Sequence, residues 1–101
     1  MPKDENTYVE ICMGTDEDFF SHICVNLVVG GLIFLIWQSD SLNDASGEDF
    51  LSFLEIASNP AILMRNKLHI PLLLDEELFT ESSEFSIEDG LKIRKFLKEI
   101  Q

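Results

Sequence analysis

Two histidines, His22 and His69, and two cysteines, Cys12 and Cys24, are the side chains in this sequence best suited to hold a metal or move a proton. A zinc site needs four converging donors, usually delivered as closely spaced Cys and His pairs. Only His22 and Cys24 are neighbours here, and neither CxxC nor HExxH occurs. His22, just after Phe19-Phe20, reads as a helix histidine with a local partner. The segment Asp40-Ser41-Leu42-Asn43-Asp44 alternates oxygen donors as a calcium loop does, but Ala45 stands where the sixth-position glycine belongs and Leu51 where the twelfth-position glutamate belongs. Nucleophilic catalysis requires a Ser or Cys paired with a base. No G-x-S-x-G elbow or glycine-rich phosphate loop is present. The expectation is a protein that is not an enzyme, with no metal and no cofactor.

The tripeptide Asp40-Ser41-Leu42 resembles the cofactor-attachment site of acyl carrier proteins, which are also small, acidic and helical. That resemblance would imply a carrier serine at a helix start. Here the tripeptide follows the apolar run directly and leads into Asn43-Asp44-Ala45, leaving no room for the long loop that precedes it in that family.

Charge is the stronger signal. The 101 residues contain 19 Asp and Glu against 7 Lys and Arg, a formal net charge of −12. From Asp4 to Met64 there are eleven acids and no Lys or Arg. Direct nucleic-acid binding is disfavoured, because phosphates require clustered cations, and so is an anionic membrane surface. The longest apolar run, Leu27 to Trp37, has eleven residues, short of the roughly 20 that cross a bilayer. The polar start Met1-Pro2-Lys3-Asp4-Glu5-Asn6 is unlike a secretory signal. Two cysteines in apolar context read as reduced, buried thiols, so a cytoplasmic location is expected.

With 46% apolar residues the chain has material for one core, and no repeat or linker divides it: residues 1–101 form one domain. Its helix starts are marked by Ser or Thr followed three residues later by an acid, which together satisfy the free N–H groups of a first turn. Thr15 with Asp18, Ser46 with Asp49, Ser86 with Asp89, and Thr7 with Glu10 all follow this pattern. Asn59-Pro60 is a further start signal. These signals predict a mainly α fold, a compact single-domain bundle of four to five helices. Its elements are a short helix or strand over Thr7–Met13, a long helix from Asp16 onward, helices over Gly47–Ser58 and Pro60–His69, and a last helix over Ile87–Ile100. Leu72-Leu73-Leu74 reads as a buried connector, and Asp75 to Phe85 as an acidic loop or short helix. The alternative is an α+β fold, in which Val25–Val29 turns at Gly30-Gly31 into Leu32–Trp37 as a hairpin. The β-branched Val25, Val28, Val29, Ile33 and Ile36 favour it; continuity with the Thr15 cap favours the helix.

Uncompensated acids destabilise a compact state by self-repulsion, and they also steer association with a basic protein. In size, acidity and lack of a catalytic motif the chain resembles bacterial immunity proteins of the nuclease-colicin, barstar-like and contact-dependent-inhibition kinds. The resemblance is one of composition, and implies an intracellular inhibitor of a basic cognate toxin, often a nuclease. Phage-type anti-defence inhibitors share these features. The loop and helix-start acids Asp40, Asp44, Glu48 and Asp49 are the expected contacts, followed by Asp75, Glu76 and Glu77; the cap residues Asp18 and Asp89 read as structural. A second class of function, an adaptor or homodimer using apolar surface, is suggested by Leu27–Trp37, Leu72–Leu74 and eight phenylalanines.

Overall fold

The computed structural model describes residues 6–75, 78 and 86–101. They form a small α+β domain. Strands β1 (Thr7–Thr15), β2 (Ser21–Val29) and β3 (Leu32–Gln38) precede helix α1 (Gly47–Leu68). Strand β4 (Leu72–Leu74) and helix α2 (Ile87–Ile100) complete the order. The sheet order is β3-β2-β1-β4, antiparallel except for the parallel pair β1 and β4. The bundle of four to five helices is therefore wrong, and the hairpin alternative is what the chain adopts.

The physical reason lies at Gly30-Gly31. Both residues have positive φ, +57° and +87°, as the centre of a two-residue primed turn requires. That turn carries the right-handed twist from β2 into β3, and the β-branched run on either side fits a pleated surface better than a helix. The Thr15 signal also has another use. Asp16 Oδ1 accepts from the N–H groups of Asp18 and Phe20, closing a tight turn between β1 and β2 instead of capping a helix.

Alternation places the core. Opposed pairs Val9 with Leu27, Ile11 with Val25, and Met13 with Ile23 put one face of β1 and β2 against the helices. Val9, Ile11, Ile23 and Val25 are fully buried there. The other face carries Glu10, Cys12 and Asn26, whose Nδ2 donates to Glu10 Oε1 and Cys12 Sγ. The leucine connector is strand β4, held when the Val9 N–H donates to the Pro71 carbonyl and the Asp75 N–H to the Ile11 carbonyl.

α1 starts where the sequence says. Ser46 Oγ accepts from the Asp49 N–H while Asp49 accepts from the Ser46 N–H, a complete capping box. Phe50, Leu54, Ala57 and Ala61 form its buried stripe, and the two alanines let the helix sit close to the sheet. The expected break at Asn59-Pro60 does not occur, and one helix of 22 residues runs through Pro60. That proline removes the N–H that would meet the Ile56 carbonyl, a local cost offset by packing on both sides.

α1 ends at His69, held left-handed at φ 54°, ψ 47° so that its N–H reaches the Arg65 carbonyl. A residue with a Cβ is strained there. His69→Gly is expected to stabilise the fold by about 0.5–1 kcal/mol, the relieved strain outweighing glycine's greater unfolded-state freedom. Urea unfolding checks this, and a lowered midpoint would show that the His69 side chain contributes more than its backbone costs.

Candidate partner-binding site: an acidic pole

The strand directions decide which charges meet. β1 ends, β2 begins and β3 ends at one end of the sheet, because Thr15 faces Ser21 and Gln38 faces Cys24. The loop after β3 stays at that end: Ser39 N–H donates to the Ile23 carbonyl and Leu42 N–H to the Ser21 carbonyl. α1 starts from this loop. The N-terminus of α2 lies beside that of α1, since a Cβ placed on Gly47 would come within 2.5 Å of Asp89 Oδ2. At the opposite ends Arg65 Nη1 donates to the Ile100 carbonyl at 2.8 Å, so the two helices run side by side in the same direction.

One pole of the domain thus collects Asp16, Glu17 and Asp18 from the β1–β2 turn, Asp40 and Asp44 from the loop, Glu48 and Asp49 from α1, and Glu88 and Asp89 from α2. These are nine of the thirteen acidic residues among the described ones. Two helix N-termini point to the same pole, and their partial positive charges offset part of the repulsion. Cations cluster elsewhere. Arg65, Lys67 and Lys98 occupy the last turns of the helices, and Lys92 pairs with Glu88 at 3.6 Å one turn in from the pole. Among the described residues, negative charge is therefore gathered at one end of the strands and the helix-terminal cations lie at the other.

A buried imidazole ties the pole together. His22 Nε2 lies 2.7 Å from Asp16 Oδ2, and Nδ1 lies 2.8 Å from the Ser39 carbonyl. A carbonyl and a carboxylate only accept, so the geometry favours the imidazolium, donating from both nitrogens. The Asp16 hydrogen bond, then the Ser39 carbonyl, hold the His22 pKa above its ordinary 6.5 against the opposing effect of burial. Asp16 is held below its ordinary 3.8, first by His22 and then by the Phe20 and Asp18 amides. Ser39, itself buried, accepts from the Ile23 N–H and donates from Oγ to the Asp40 carbonyl, which fixes the backbone from which Asp40 projects.

Asp40, Asp44 and Glu48 are exposed at this pole. Asp49 is exposed as well, but its carboxylate also closes the α1 capping box. Asp44 has φ +64°, a conformation Asp tolerates better than most residues. Asp75 is not gathered with these four: it follows β4 on the far edge of the sheet and is half-buried. Glu76 and Glu77 lie outside the described residues. Asp18 and Asp89 do have local work. The Asp18 N–H donates to Asp16, and the Asp89 N–H donates to Ser86 Oγ at the α2 cap. His22 has the local partner expected of it, Asp16, but it lies on strand β2 and not on a helix, and nothing in the spacing of Asp16, His22 and Ser39 reveals that it also joins the loop after β3.

Other chemistry finds little footing. Among the described residues, no group of three or more His, Cys, Asp or Glu side chains could hold a metal. Cys12 and Cys24 are free thiols facing each other across β1 and β2. Burial, with Glu10 nearby, pushes Cys12 up to about 12, and burial raises Cys24, so neither supplies a thiolate nucleophile near neutrality. No described helix is long and apolar enough to cross a membrane. Searches against protein-family models, curated proteins and solved structures find no match to the chain.

Proposed function

We propose that this chain is a non-enzymatic inhibitor that binds a basic partner protein through its acidic pole, as an immunity protein neutralises a cognate toxin such as a nuclease. The observation that carries this reading is the segregation of charge: nine carboxylates from four separate segments lie at one end, and helix-terminal cations at the other. Helix N-termini and the β1–β2 turn account for Glu48, Asp49, Glu88, Asp89 and Asp16, but not for Glu17, Asp40 and Asp44 at the same end. A site that binds nucleic acid must present cations to phosphates, and a row of fixed carboxylates is complementary to it. Long-range attraction would orient the pole toward that site before contact and raise the on-rate. The inhibitor would act by occlusion, with Asp40, Asp44 and Glu48 as the leading contacts.

The test is capture from a lysate of the source cell on immobilised full-length chain at low salt, with elution by a salt step and identification by mass spectrometry. The expected result is one basic protein released by salt, whose activity the free chain suppresses. Recovery of no basic protein, or of one whose activity the chain leaves unchanged, would overturn the reading.

A further inference from the structure

Strand β3 forms one edge of the sheet, and no strand pairs with its outer side among the described residues. Its side chains are Leu32, Ile33, Phe34, Leu35 and Ile36, exposed by 65, 66, 50, 55 and 37%. Edge strands ordinarily guard themselves with lysine, proline or inward charge. From Ile23 to Ser39 this chain has no charged residue and no proline. The one guard is the register shift opposite Val25 and Asn26, which leaves the Leu32–Leu35 stretch regular. We infer that β3 is a self-association edge, pairing antiparallel with β3 of a second copy to form a continuous eight-stranded sheet.

Three features select a second copy as the occupant. A strand paired antiparallel with itself about a twofold axis is self-complementary for any sequence, and the interface closes at two chains. At the stated exposures, the five side chains leave about 500 Å² of apolar surface per chain, in the range where monomer patches become functional. The segregated charge also fixes the orientation: antiparallel pairing sets each acidic pole beside the partner's helix C-termini, with Arg65 and Lys67, whereas parallel pairing would put two acidic poles together.

This inference is independent of the inhibitor reading, and salt separates the two. Each copy carries a net charge of −12, so screening should strengthen self-association while weakening attraction to a basic partner. Light scattering on the eluting full chain, from about 5 to 500 µM and from about 50 to 500 mM salt under reducing conditions, reads the mass directly. The expected result is a shift from one to two chains with concentration, with the dimer fraction rising at least twofold at high salt. A single-chain mass throughout, a dimer lost at high salt, or open-ended growth beyond two chains would overturn the proposal. Leu35→Lys should remain monomeric with an unchanged circular dichroism spectrum, and a folded dimer of this variant would also overturn it. If the variant does not fold, hydrogen exchange of the unaltered chain decides. Protection that rises with concentration in β3 alone supports the proposal, and protection that rises elsewhere or nowhere contradicts it.

Discussion

Asp40→Lys, Asp44→Asn and Glu48→Lys in one chain are expected to slow association with the basic partner about tenfold to a thousandfold at low ionic strength. Asparagine is chosen at 44 because the positive φ there would strain lysine. The substitutions add two, one and two units and move the net charge from −12 to −7. Removing negative charge anywhere reduces steering, so the control must separate position from total. Glu55→Lys with Glu99→Lys moves it from −12 to −8, close to the same total, at exposed sites on the helices outside the pole. That control should slow association only a few-fold. Stopped-flow measurement at several salt concentrations should show the pole variant losing most of the salt dependence and the control keeping it. The fold should tolerate the pole variant. Lysine at position 48 loses about 0.3–1 kcal/mol of helix-dipole interaction, while repulsion among the remaining acids falls.

His22→Gln is expected to lower stability by about 1–3 kcal/mol, because the Ser39 carbonyl loses a buried charged donor. The pH dependence identifies the cause. A histidine whose folded pKa is raised contributes stability that is fully present below its unfolded value near 6.5 and is lost as pH rises through the higher folded value. The lowered Asp16 works the other way: its contribution is present above about 3.8 and is lost as pH falls through the depressed value. The stability gap between the original chain and His22→Gln should therefore be widest near pH 5 and narrow on the alkaline side. Urea unfolding across that range measures it. A gap that stays constant with pH would mean that His22 fills space and its charge is irrelevant.

The parts of the fold legible in sequence are those fixed by contacts within a few residues. Ser46 with Asp49, and Ser86 with Asp89, mark the starts of α1 and α2, and both sets of cap hydrogen bonds are present. The same residue types misled at Thr15-Asp18, where the Asp16 carboxylate folds back on its own turn; cap and Asx-turn chemistry use one vocabulary. Pro60 misled for the converse reason, since tertiary packing carries α1 through a residue that would end an isolated helix. Gly30-Gly31 was the decisive dipeptide, readable as a primed turn once a β-branched flank outweighs a distant cap.

The candidate site divides in the same way. Asp40, Asp44, Glu48 and Asp49 are local in sequence and stay together in space. Their union with Asp16–Asp18 depends on the strand pairing and the backbone bonds of Ser39 and Leu42, reinforced by the His22 bridge, and their union with Glu88 and Asp89 depends on the parallel run of α1 and α2. Neither long-range fact has a signature in spacing or composition. Asp75, grouped by charge alone, ends on the opposite edge because β4 adds beside β1.

The most direct test of the acidic-pole account is the salt dependence of binding between the captured partner and three chains: the original, the pole variant and the Glu55/Glu99 control. The account predicts that the original and the control bind at about 20 mM salt and release at about 500 mM, and that the pole variant binds at least about tenfold more weakly at 20 mM with little further change at 500 mM. Equal binding by the pole variant, or an affinity indifferent to salt, would contradict it.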